Sequence, residues 1–158
     1  MQAGAKKYEI RDADHGDVAY LSAHIRGIDK REVAAVSGRS VYSAMSSGLK
    51  MSEICRVGTV DDVPFCIYGV YRLSMLSSDG SIWMLGTDEL SKHWYKFGRE
   101  SKREVRDMIS GFRMVENYCH AENKLTVRWL KWLEFEIEEA KPFGRLQELF
   151  HRFYKRGE

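Results

Sequence analysis

The run Ser77-Ser-Asp-Gly-Ser-Ile-Trp-Met-Leu-Gly-Thr-Asp88 decides how the chain is read. Its first five residues form a turn signal of Ser, Asp and Gly. Ile82 to Leu85 are wholly apolar, as a strand covered on both faces must be. Thr87 or Asp88 then offers a short polar side chain to cap a helix. The helical spacing of Trp94, Phe97, Val105, Met108 and Ile109 runs on to Ser110, and Gly111 supplies a stop. Turn, buried strand and long helix in succession predict a mixed α/β architecture.

Toward the N-terminus, residues 53–60 and 65–73 flank Asp61-Asp62, and Pro64 can open a strand but not centre one. Together they predict an antiparallel hairpin. Val18, Leu21, Ile25 and Ile28 recur at three or four, which predicts a helix with Asp17 as its cap. Residues 29–50 predict a second helical stretch, broken around Gly38 and stopped by Gly48, and residues 6–11 predict a first strand. Toward the C-terminus, 114–120 reads as a strand and 125–133 as a helix with Leu125, Trp129, Trp132 and Leu133 on one face. Phe135 and Ile137 alternate with glutamates, as in a strand with one wet face. Residues 142–154 are amphipathic and fit either class.

With 158 residues, 44% of them hydrophobic, the chain suits one domain over 1–158. Twenty-five basic against 23 acidic residues leave a formal charge of +2, which argues against a dedicated nucleic-acid binder. Cys55, Cys66 and Cys119 are odd in number and far apart, so reduced thiols are expected rather than a disulfide framework or a thiolate zinc site. The five histidines, at 15, 24, 93, 120 and 151, have no ligand spacing, and no metal is expected. No apolar run approaches the roughly 20 residues that cross a bilayer. No leader pattern opens the chain, so a soluble, cytosolic protein is expected.

The element order, together with Gly69-Val-Tyr-Arg-Leu-Ser74, Trp83-Met-Leu-Gly-Thr-Asp-Glu-Leu90, Phe97-Gly-Arg-Glu-Ser101, Asn117-Tyr-Cys-His-Ala-Glu-Asn123 and Val127-Arg-Trp-Leu-Lys-Trp-Leu-Glu-Phe135, resembles the GNAT acyltransferase superfamily. Within it the chain resembles a phage-borne branch that includes the small internal virion protein of podophages. The likeness spans residues 50–153; before that only element order agrees. It implies a GNAT-like mixed central sheet with splayed parallel strands, flanked by helices, and acetyl-CoA lying in the splay. Leu85 and Gly86 would line the pantetheine, Arg99 and Ser101 the pyrophosphate at the helix N-terminus, and Asn123 the cofactor's reactive end. Lys92, Lys96, Arg99, Lys102, Arg103 and Arg106 outnumber Glu100, Glu104 and Asp107 on that helix, which suits an anion and equally suits a solvated face. Asn123 is also a good helix cap, and Trp129 and Trp132 read as core.

The activity so implied is acyl-CoA-dependent N-acyl transfer to a host bacterial protein or a phage protein, in the host cytoplasm. The alternative is a non-catalytic phage protein that binds a host enzyme or is a minor virion component. Acyl transfer to an amine needs a group to take its proton and a donor for the thiolate. His120 and Asp88 are the catalytic candidates, ahead of Glu53, Glu89 and Tyr118. A Cys119–His120 dyad is disfavoured because neighbours on a strand point to opposite faces. Leu130 occupies the position of the family's general-acid tyrosine, and Glu134 that of its glycine before the closing Phe135. Only Gly86 and Gly98 stand where a spaced glycine pair would bind pyrophosphate.

Overall fold

Asp61 and Asp62 both adopt left-handed backbone angles, φ 48° and 67°. Two such residues make the tight turn whose twist matches the twist of paired strands. They join β2 (Ile54–Val60) to β3 (Val63–Arg72) in a computed structural model that describes residues 4–157. Pro64 sits next to the turn, beside a register shift at Gly58/Thr59, where a missing N–H breaks little of the ladder.

The remaining strands are β1 (Tyr8–Asp12), β4 (Asp79–Gly86), β5 (Met114–His120), β6 (Glu136–Ile137), β7 (Lys141–Phe143) and β8 (Glu148–Arg156). They form one mixed sheet in the order β1-β2-β3-β4-β5-β8-β6, with β7 also paired to β8. All neighbours are antiparallel except β4 and β5. That parallel pair touches only over Asp79–Ser81 and Met114–Glu116. Beyond it the two strands part. The ambiguous stretch 142–154 is thus a β7–β8 hairpin. Its turn holds Gly144 at φ 80°, where a Cβ would lie 2.7 Å from the Ala35 carbonyl.

Five helices cover the sheet: α1 (His15–Ala23), α2 (Gly27–Val36), α3 (Val41–Met51), α4 (Trp94–Ile109) and α5 (Lys124–Trp132). The cap of α1 is Asp14, three residues before the expected Asp17. Asp17 instead completes the reciprocal capping box and binds Arg11 at 2.8 Å. The break at Gly38 (φ 71°) falls as expected. Gly48, however, lies inside α3, because a Cβ there would stand 2.6 Å from the Trp83 ring. Close packing, not helix termination, explains that glycine. Thr87 caps a 3-10 turn over Asp88–Ser91, so α4 begins a turn later than the capping signal suggests.

Helices α4 and α5 cover one face, over Tyr68, Ile82, Phe97, Trp129 and Phe153. The opposite face carries Val18, Leu21, Met45, Ile67 and Leu85. Ile82 and Met84 look one way and Trp83 and Leu85 the other, which is why that strand is apolar throughout. Among the described residues no helix is long and apolar enough to cross a membrane.

Candidate functional site

The opening between β4 and β5 begins after Ser81 and Glu116, the last residues in register. Thr87 donates its N–H to Phe65 on β3 at 2.9 Å, whereas Gly86 donates to the Asp29 carboxylate at 2.8 Å. Successive peptide groups on a strand alternate in direction. Ile82, Met84 and Gly86 therefore turn their backbone groups toward β5, and Trp83 and Leu85 toward β3. The Ile82 carbonyl accepts from Asn117 Nδ2 at 2.7 Å, and the Gly86 carbonyl accepts from Arg26 N–H at 2.9 Å. Met84 between them faces the gap with its N–H and C=O.

Helix α2 reaches into the open end of this gap with an Arg26, Asp29, Glu32 series spaced at three. Asp29 is fully buried and receives the Arg26 guanidinium through two bonds, of 2.8 and 3.0 Å, besides the Gly86 N–H. Arg26 also donates to Thr126 on α5 at 3.3 Å. One turn on, Glu32 Oε1 accepts from the His120 N–H and from Asn123 Nδ2, both at 2.9 Å. A carboxylate from one helix thus holds the last N–H of each parted strand.

Burial pushes the Glu32 carboxyl up to about 7, and the neighbouring Asp29 charge adds to the rise. Burial also raises Asp29, and the Arg26 guanidinium opposes it. With three donors on its oxygens Asp29 stays an anion, leaving Glu32 as the carboxyl that exchanges a proton near neutrality. Its Oε2 has no hydrogen-bond partner among the described residues, and Glu32 is one of the residues that line a cavity of about 270 Å³. Cys119 Sγ lies 3.8 Å from Glu32 Oε1, and burial pushes that thiol far up, so it remains protonated.

His120 is buried, and both ring nitrogens are engaged. Nδ1 must accept from the Glu122 N–H at 3.1 Å, so Nε2 carries the hydrogen toward Glu148 at 3.0 Å. The imidazole therefore serves the β5–β8 junction, and only the His120 backbone meets Glu32. Asp88 is exposed in the 3-10 turn and takes no part in this cluster. Asn123 caps α5 through Thr126 N–H while its amide holds Glu32, so both expected roles fall on one side chain. Leu85 packs on the α1–α3 side, and Ser101 is fully buried on the inner face of α4, accepting from Trp129 Nε1 at 2.9 Å. Leu130 is buried and lines the gap.

A second cavity, of about 490 Å³, lies between α4 and α5, lined by Trp94, Tyr95, Gly98, Arg99, Arg128 and Trp132. The start of α4 has no side-chain cap, because the His93 ring is turned to Tyr8 Oη at 2.8 Å. Uncapped N–H groups, two guanidiniums and three aromatic rings are groups suited to an anion and to a stacked ring. Arg99 thus lies with Arg128, away from Ser101.

Glu32, Arg26 and Asp29 did not stand out in the sequence. The available signal was their spacing: Asp29 and Glu32 share a helix face with Val33 and Val36, and carboxylates on an apolar stripe are costly unless paired or functional. Met84 could not be found, because its contribution is backbone direction.

No protein-family model and no curated protein matches the sequence. Solved structures do match. The yncA protein of Salmonella typhimurium, solved with its cofactor acetyl-CoA, is 17% identical with a TM-score of 0.68 over 96% of this chain and 94% of that one. A GCN5-related N-acetyltransferase from Kribbella flavida gives 16%, 0.67, 94% and 97%. The Vibrio cholerae spermidine N-acetyltransferase, in complex with CoA and spermine, gives 12%, 0.65, 95% and 95%. At these identities the likeness establishes the fold: an open mixed sheet flanked by helices, in the GNAT arrangement.

Proposed function

We propose that the chain is an acyl-CoA-dependent N-acyltransferase in which Glu32 is the general base. The observation that carries this reading is a carboxyl raised to about 7 and held against the parted ends of the strands, in the lining of the cavity there. A base titrating near the working pH accepts and releases a proton most efficiently. Bacterial proteins of this fold, one solved with acetyl-CoA and one with CoA, support the choice of acyl donor.

The residues present fit such a donor. Met84 offers an N–H and C=O to an amide-bearing arm, and Arg99, Arg128, Trp94 and Trp132 suit a phosphorylated adenosine end. When bound, acetyl-CoA supplies an acyl group already activated as a thioester. Glu32 then takes the proton from an incoming ammonium, so that the free amine is the nucleophile. His120 N–H and Asn123 Nδ2 hold Oε1 and leave Oε2 for that proton. Arg26 keeps Asp29 charged, and the Asp29 charge keeps Glu32 basic. Leu130 has no proton to give, so Glu32 or solvent would supply the proton that a departing thiolate needs.

Calorimetric titration with acetyl-CoA tests the reading first: no heat at millimolar ligand would sink it. Thiol release is the second measurement, and Glu32→Gln should reduce it by two orders of magnitude or more.

The likeness of residues 50–153 to the phage-borne branch supports a setting in the infected bacterial cytoplasm, with a host or phage protein as partner. Leu130 favours a second reading, in which the fold serves as a non-catalytic binding surface or a minor virion component. Mass spectrometry of purified particles, together with the acetyl-CoA titration, separates the two.

A further inference from the structure

The cavity at Glu32 carries an asymmetry of charge that the acyl-transfer reading does not use. Among the described residues its walls include two charged side chains, Glu32 and Arg39. Glu32 is half-buried and shares the lining with buried Trp129 and Phe153, whereas Arg39, Val36 and Met51 are exposed. Most of the remaining wall is apolar or aromatic, with Tyr71, Trp83 and Tyr118 among its members.

Arg39 is held in place before any ligand arrives. Its Nη2 donates to Ser43 O at 3.1 Å, Ser43 Oγ at 2.8 Å and Ser47 Oγ at 2.6 Å. Nε and Nη1 have no partner among the described residues and stay free for a ligand. No acidic side chain is paired with this guanidinium among the described residues. A guanidinium anchored through one nitrogen and open at the others is suited to a carboxylate.

We infer that the acceptor is a small amine that also carries a carboxylate, its ammonium directed to Glu32 and its carboxylate to Arg39. This rests on the acyl-transfer reading for the fate of the amine, but not for its binding. Charge excludes the obvious alternative: a polyamine would bring two or more cations to one carboxyl and a guanidinium. Size points the same way, since about 270 Å³ falls below the roughly 300–1,000 Å³ of sites for drug-sized ligands. An amino-acid-sized molecule with an apolar body fits a cavity of this size and lining.

The test uses the full chain at pH 8, where Glu32 is ionised, with and without acetyl-CoA. Affinities are measured for L-phenylalanine against phenethylamine, for 6-aminohexanoate against hexylamine, and for spermidine. At least one carboxylated amine should bind tenfold or more tightly than its counterpart lacking the carboxylate. Arg39→Gln, a change at an exposed position, should abolish that preference, and Arg39→Lys should restore part of it. Equal affinities, a preference for spermidine or either plain amine, or no binding by any of the five overturns the inference. A carboxylate preference without acetyl-CoA binding sinks the acyltransferase reading alone. Acetyl-CoA binding without the preference sinks the acceptor assignment alone.

Discussion

Replacing Glu32 by glutamine isolates the energy stored in the proposed base. Glutamine keeps the shape and keeps an oxygen for His120 N–H and Asn123 Nδ2, but it cannot ionise. The carboxyl titrates near 4.5 in the unfolded chain and at about 7 in the folded one. Because the folded value is the higher, the native state holds a proton that the unfolded state has lost between those limits. Stability therefore falls as pH rises from about 4.5 through 7, and is lowest above the folded value. A gap of about 2.5 pH units, at about 1.4 kcal/mol each, gives an upper figure of about 3.5 kcal/mol. Urea unfolding of both proteins from pH 4 to pH 9 measures it. The two should be alike near pH 4, and Glu32→Gln should be the more stable by up to about 3.5 kcal/mol at pH 8. Histidines titrate in the same window, but they are common to both proteins and cancel in the difference. A difference that does not vary with pH would refute the claim that this acid is held protonated by its surroundings.

Arg26→Met should destabilise by about 3–5 kcal/mol, because it leaves the buried Asp29 charge without its partner; chemical denaturation reads this directly. Glu134 adopts a left-handed φ of 66°, and its contacts with Lys102 and Lys155, at 3.8 and 4.0 Å, are exposed and weak. Glu134→Gly should therefore stabilise by about 1 kcal/mol, which calorimetry would show as a rise of about 2–4 °C. Ser101→Ala should cost about 1–3 kcal/mol by stranding the buried Trp129 Nε1–H, again measurable by urea unfolding. Leu130→Tyr should raise the rate of thiol release about tenfold or more by supplying a proton donor, with some loss of stability from overpacking.

The sequence was most legible where one residue type does one job. Met114–His120 and the Asn123-capped helix stand where their apolar spacing and cap predict them. The 142–154 stretch was not legible, because its alternation was obscured until Gly144 and Gln147, both at positive φ, placed a turn within it. Gly48 misled for a related reason: a glycine that makes room for a tryptophan looks, in one dimension, like one that ends a helix. The candidate site was harder still. Arg99 and Asn123 were visible as residue types, but His120 attracts notice for a ring that is already occupied. Glu32 becomes meaningful only when α2 is laid across the ends of two strands 50 and 90 residues farther along. Electrostatic environment is a property of the assembled fold, and one glutamate among many carries no mark of it.

The carboxylates of α2 that hold the two parted strands have a mechanical meaning. The same helix is gripped at its other end, where the β7–β8 turn donates Arg145 and Leu146 N–H groups to the Val36 and Ala35 carbonyls. A molecule wedged between the strands can widen them only by shifting a helix fixed at both ends. That helix carries Glu32 and leads directly into Arg39. Whatever occupies the gap and whatever occupies the cavity mouth thus meet the same helix, and by linkage any change one makes in the other's affinity is returned by the same factor.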